Sequence, residues 1–290
     1  MTFRLIRPQS GILTKKHPLY IMKIRTIFFV SDRTAITAET LGNSLMTQFN
    51  GVERDRHVIP FVDTEARALA LKKRINDSYT VNEGRPLVFS TFTDDSLREI
   101  VAESGCIFYD LFNDYISRME RDLRQESSHE MGKSHGVVDK NSYESRMRAV
   151  NYALVNDDGA CLEHYQQADV ILVGVSRTGK TPTSLFLALQ YGVFVANFPI
   201  TDSDLDNCSL PRAIKPYKKK LFGLTIGAEQ LSRIREERRP GSPYASLRTC
   251  QREVSQVEEL FQLENIPFLN VTAISIEEIA AQIRLTLGFD

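Results

Sequence analysis

At 290 residues the chain can form one large domain or two modest ones, and either can bury a core. Hydrophobic residues at 42% and charged residues at 25% exclude wholesale disorder, collagen and coiled coil. A formal net charge of −1, from 36 basic against 37 acidic side chains, supplies no global field for nucleic acid or an anionic membrane, so neither is expected as a partner. Apolar runs such as 27–30 and 170–175 fall far short of the ~20 residues of a spanning helix. Cys106, Cys161, Cys208 and Cys250 form no CxxC pair and have no metal-like spacing. They read as reduced thiols of a cytoplasmic protein, with no metal ligands assigned.

Residues 1–21 carry scattered basic residues and Pro8 but no continuous apolar stretch, and Met22 directly precedes the first strand signal. A disordered tail or a misassigned start is expected there. Residues 26–30 (TIFFV) predict a strand. After the polar turn Ser31-Asp32-Arg33-Thr34, a helix carries Leu41, Leu45, Met46 and Phe49 at helical spacing. Strands are then expected at 58–62 (interrupted by Pro60), 86–91 and 106–111, with helices at 65–75 and 95–104. Strands alternating with helices of this length predict a doubly wound parallel α/β domain over 22–125. Residues 126–142 are polar, glycine-containing and aperiodic, a linker or mobile loop in which His135 is the one histidine placed suggestively. A helix over 143–154, with Met147, Val150 and Leu154 on one face, stops at Gly159. It opens a second, kinase-like α/β domain over 143–290.

The strongest local signal follows. An apolar strand at 170–173 runs into Gly174, Val175, Ser176, Arg177, Thr178, Gly179, Lys180 and Thr181, a full match to G-x-x-x-x-G-K-[ST]. Glycines at 174 and 179 let successive amides face inward as an anion nest. Lys180 brings a point charge to phosphate, and the Thr181 hydroxyl suits an Mg²⁺ shell. Pro182 sits in the first turn of the next helix, whose positive end faces the nest. The alternative is a glycine turn with no ligand. Leu185, Leu187 and Leu189 predict a helix apolar nearly all round.

The aspartate that normally holds Mg²⁺ at a later strand end is missing. The strand at 193–198 meets Pro199, and the strand at 221–226 meets Gly227. No N-K-x-D string is present, which disfavours a GTPase switch. Asp157 and Asp158 are the acidic candidates upstream, as metal ligand and general base or as a plain helix end. Asp202, Asp204 and Asp206 downstream read as a solvated loop. Arg233, Arg235, Arg238 and Arg239 either close over phosphates or belong to an exposed helix laced with ion pairs. The chain closes with a strand at 267–271 and a helix opened by Ser275 and Glu278, a capping-box match that buries Ile279, Ile283 and Leu287.

The string GVSRTGKTPTS over 174–184 resembles the signature of the bacterial regulatory proteins of phosphoenolpyruvate synthase and of pyruvate, phosphate dikinase. Collinear support comes from SDRTAITAE (31–39), Ser134-His135-Gly136, Asp157-Asp158-Gly159, FGLT (222–225), REER (235–238) and Tyr244-Ala245-Ser246. The resemblance spans roughly 26–288. It departs at Arg33, where such proteins often carry glycine. It implies a bifunctional enzyme that uses ADP to phosphorylate a threonine of its target and inorganic phosphate to remove that group as pyrophosphate. Gly174 to Thr181 would bind ADP, Lys180 and Arg177 would neutralise the transferring phosphate, and Asp157 or Asp158 would be the acid/base. Mg²⁺ accompanies the nucleotide in this reading, phosphoenolpyruvate synthase is favoured over dikinase as target, and a homodimer is left open. An ATP-dependent small-molecule kinase and a non-catalytic nucleotide sensor are the rival classes.

Overall fold

A computed structural model of the chain describes residues 24–79, 84–128, 140–206 and 209–288. The tail 1–21, His135 and Cys208 lie outside the described residues. The chain divides into two compact units, before and after residue 136. Among the described residues, no helix is long and apolar enough to cross a membrane.

In the first unit β1 (Ile24–Val30), α1 (Ile36–Met46), β2 (Glu53–Ile59), α2 (Glu65–Asp77), β3 (Leu87–Ser90), α3 (Asp95–Ala102), β4 (Ile107–Asp110) and α4 (Asn113–Leu123) follow in order. The sheet runs β2-β1-β3-β4, all parallel. The centre strand β1 is apolar on both faces because both are covered. Phe28 and Val30 pack on α2 and α3, through Ala68, Leu71, Ile75, Leu97 and Val101. Ile27 and Phe29 pack on α1. The predicted doubly wound α/β fold is therefore what forms.

Two expectations in this unit need correction. The second strand is not 58–62: it starts at Glu53 and ends at Ile59, before Pro60, which has no N–H to give a ladder. Its sequence, ERDRHVI, is polar because the strand lies at the sheet edge. On α1 Leu41 and Leu45 are exposed, as is Phe49 beyond the helix end; of the residues expected inside, Met46 is buried, together with Ala38 and Gly42. Gly42 lies so close to Phe29 and Phe89 that even a Cβ would collide at 2.6 and 2.9 Å. Close approach of helix to sheet, and not side-chain bulk, selects the buried face.

The second unit contains α5 (Lys140–Val155), β5 (Val170–Gly174), α6 (Lys180–Tyr191), β6 (Val195–Pro199), a short α7 (Asp202–Leu205), β7 (Leu221–Thr225), α8 (Ala228–Arg238), α9 (Leu247–Leu263), β8 (Phe268–Asn270) and α10 (Ile276–Leu287). Its parallel sheet runs β6-β5-β7-β8, the same winding as the first. β5 and β7 are buried end to end. α4, α7 and α9 are additional to the predicted elements, α7 standing where a solvated loop is expected. α5 does not bury Leu154, which is exposed. Its Ala149 and Ala153 meet Ala188 of α6, small residues that let two helices approach closely. α6 is likewise not apolar-buried all round: Leu187 and Ala188 are buried, while Leu189 faces solvent. α10 starts as expected, with Ser275 and Glu278 exchanging cap hydrogen bonds of 3.3 and 2.8 Å.

Candidate functional site

β5 pairs with β6 on one side and β7 on the other, so the chain leaves β5 where the strand order reverses. Open parallel sheets have their ligand crevice at this place. The loop 174–179 stands there and leads into α6. Gly174 has φ +156°, and a Cβ at this position would come within 2.3 Å of the Leu224 carbonyl oxygen on β7. Gly179 has φ +81° and is the residue before the first turn of α6. No side chain caps that turn, which leaves its N–H groups for an anion. Arg177 also adopts positive φ, +80°, an uncommon cost for a residue with a side chain.

A cleft of about 550 Å³ opens over the loop. Asp157, Asp158, Ser176, Arg177, Gly179, Lys180, Thr181, Pro182 and Arg238 line it. Val175 and Thr178 are buried beneath, with Thr178 Oγ1 donating to the Val175 carbonyl at 3.1 Å. Lys180 is only 5% exposed. Its Nζ donates to the carbonyls of Gly174 at 2.9 Å and Val175 at 3.0 Å. Burial pushes its ammonium down to about 8, against the opposing pull of Asp158 and Asp157.

The upstream aspartates reach the loop. Asp157 Oδ1 accepts from Thr181 Oγ1 at 2.9 Å and from the side-chain amide of Asn197. Asn197, fully buried on β6, also accepts from the Asp158 N–H at 2.8 Å through its own amide oxygen. Tyr165 donates to the Asn197 carbonyl at 2.7 Å, and Asn197 N donates to Asn156 O at 3.1 Å. One asparagine thus fastens the whole Asp157–Gly159 turn to the sheet. Asn197 belongs to no motif, and its one signal in the sequence is a polar residue inside the apolar strand VANFP.

The arginine cluster divides. Arg235 neither closes over phosphate nor faces solvent: it is 1% exposed, behind the loop. Its guanidinium donates to Glu253 at 2.7 Å, to the Ser176 carbonyl at 3.2 Å and to the Tyr244 carbonyl at 3.1 Å. It also stacks 4.0 Å from the Tyr244 ring centre, and Tyr244 Oη donates to Ser176 Oγ at 3.0 Å. Arg238 lines the cleft, while Arg233 and Arg239 are exposed outside it. Of the downstream aspartates, Asp204 caps α7 and Asp202 pairs with Arg252 at 2.8 Å, both away from the cleft lining. In the first unit, buried Asp32 accepts from Thr93 N at 2.8 Å and Thr93 Oγ1 at 2.7 Å. The neighbouring Arg33 is exposed, its carbonyl accepting from Phe61 N at 2.7 Å.

A family model described as kinase/pyrophosphorylase matches residues 27–284. The chain belongs to the kinase/pyrophosphorylase family. Similar proteins include one from Marinobacter nauticus, 48% identical over 264 residues, which cover 91% of this chain and 97% of that one. Others come from Alkalilimnicola ehrlichii, 49% identical over 89% of this chain and 94% of the relative, and Halorhodospira halophila, 51% identical over 90% and 95%. Each carries the name "Putative phosphoenolpyruvate synthase regulatory protein". Kinases and pyrophosphorylases both move phosphoryl groups, chemistry that rests on positioning and charge neutralisation more than on covalent steps by the protein. A cleft with glycine-bent loop, buried lysine, one clamped carboxylate and one open one is suited to that work.

Proposed function

We propose that this kinase/pyrophosphorylase uses ADP to phosphorylate a threonine of phosphoenolpyruvate synthase, inactivating it, and uses inorganic phosphate to reverse the modification. The observation that carries the reading is the meeting of the phosphate loop with Asp157 and Asp158 in one cleft. The names of the relatives support the synthase, and not the dikinase, as the protein substrate.

In the forward direction the threonine oxygen bonds to the β-phosphorus of ADP, the bridging P–O bond breaks, and AMP leaves. In the reverse direction a phosphate oxygen bonds to the phosphothreonine phosphorus, pyrophosphate leaves, and the threonine oxygen regains a proton. Asp158 lines the cleft with no hydrogen-bond partner for its carboxylate among the described residues, which suits a group that takes and returns that proton. Lys180 and Arg177 offset phosphate charge.

Asp157 and Thr181 serve differently. Their oxygens, 2.9 Å apart, are hard donors of the type Mg²⁺ prefers, and Mg²⁺ commonly completes its shell with water and substrate phosphates. Asp157 thereby fills from upstream the role that a strand-end aspartate plays in ordinary phosphate-loop enzymes. Bound Mg²⁺ would neutralise charge between the phosphates.

The test is to incubate the chain with synthase and ADP labelled at the β-phosphate, then add unlabelled phosphate. Label on a synthase threonine with AMP formed, followed by labelled pyrophosphate, is expected. Transfer only from ATP to a small metabolite, or nucleotide binding without any transfer, would reject the reading.

A further inference from the structure

Phosphorolysis requires two phosphorus centres side by side: the attacking phosphate and the phosphoryl group on threonine. The same holds for the α- and β-phosphates of ADP. One loop nest with one lysine accounts for one of them. A second group needs its own cations.

The cleft provides them. Arg238 stands in the last turn of α8, three residues beyond Arg235, a spacing that puts both on one helix face. Arg235 is locked to the Ser176 carbonyl and to Glu253, so α8 has a fixed register against the loop. That anchoring fixes where Arg238 enters the cleft wall. Arg177 joins the same wall, held at φ +80°. Neither arginine pairs with a carboxylate among the described residues, so both guanidinium forks are available to phosphate oxygens.

We infer that Arg238, together with Arg177, forms a second anion subsite that holds the phosphoryl group in transit, while the 174–181 loop holds the phosphate that does not move. The ligand class of this subsite is a phosphomonoester or the terminal phosphate of a diphosphate. It rests on the phosphoryl-transfer reading above and adds a division of the cleft into two phosphate positions.

Titration of the chain with AMP, ADP and pyrophosphate tests this without the protein substrate. AMP carries only the stationary phosphate, whereas ADP and pyrophosphate span both positions. Arg238→Gln should bind AMP within twofold of the parent and lose about tenfold or more in affinity for ADP and pyrophosphate, the loss expected for one charge-assisted fork. Arg238→Lys should recover part of that loss by restoring charge without the fork. Equal loss for AMP and ADP would make Arg238 a ligand of the stationary part and overturn the inference. Unchanged ADP and pyrophosphate affinity would overturn it too. Lys180→Ala separates the two levels: retained ADP binding there contradicts the loop assignment itself, whatever Arg238→Gln does.

Discussion

Thr181 Oγ1 and Asp157 Oδ1 lie 2.9 Å apart, joining the first turn of α6, just after the glycine-bent loop, to a turn that precedes β5 in the chain. In this family member the carboxylate partner of the loop hydroxyl comes from before the loop. β6 and β7 are free to end in Pro199 and Thr225, the latter hydroxyl donating to Glu258 at 2.7 Å.

Lys180→Ala should lower ADP-dependent transfer by about 10²–10³, the cost of losing one preorganised charge at the reacting phosphates. The fold should survive, as judged by an unchanged circular dichroism spectrum. Full activity in the folded variant would refute the loop assignment.

The same lysine sets a pH dependence. Its ammonium is held near 8, below the ordinary 10.5, by burial. The unbound protein should therefore lose ADP affinity as pH climbs past about 8, since the neutral amine no longer attracts phosphate. Between 8 and 10.5 the unfolded chain keeps a proton that the folded chain has released, so this group makes folding stability rise with pH across that window. Lys180→Met should flatten that rise in denaturant titrations at pH 7.5 and 10. An equal slope in both proteins would show that the lysine is not depressed.

Asn197→Ala should unfasten the Asp157–Gly159 turn. Two hydrogen bonds to the half-buried Asp157 and the exposed Asp158 are lost, a cost of about 1 kcal/mol each. Both reaction directions should slow in proportion, with a smaller change in ADP affinity, because the loop stays intact. A variant that loses stability while keeping both rates would make Asn197 a purely structural residue.

Arg235→Met alone should destabilise by about 3–5 kcal/mol, since it strands the Glu253 carboxylate in a buried site. Arg235→Met with Glu253→Met should recover most of that stability. It should not recover ADP affinity, because the Ser176 carbonyl and α8 have lost their tether. Thermal melts and ADP titrations on the single and double variants separate the two effects.

Much of this was legible in the sequence, and the exceptions have physical causes. The strand-loop-helix around Lys180 could be read because the fixed glycines and the apolar strand are local requirements. Strand β2 is not legible at its true bounds because an edge strand need not be apolar, and of the expected α1 face only Met46 is buried because Gly42 packs where a leucine would not fit. Asp157 and Asp158 were visible as candidates, yet their attachment to Thr181 and Asn197 depends on β6 lying beside β5, a relation no local spacing encodes. Arg235 and Arg238 look alike in sequence. Only the packing of α8 against α9 makes one a buried brace and leaves the other at the cleft.

In the proposed reaction one cleft performs both directions of transfer with one carboxylate. Measuring ADP-driven phosphorylation and phosphate-driven removal side by side on Asp158→Asn tests it most directly. Among the described residues the exposed Asp158 is held through its backbone N–H, so the substitution should leave thermal stability within about 0.5 kcal/mol, as for surface changes generally. Both rates should fall together by about 10²–10⁴, the usual contribution of a positioned proton acceptor and donor. Loss of one direction with the other fully retained would contradict the shared cleft.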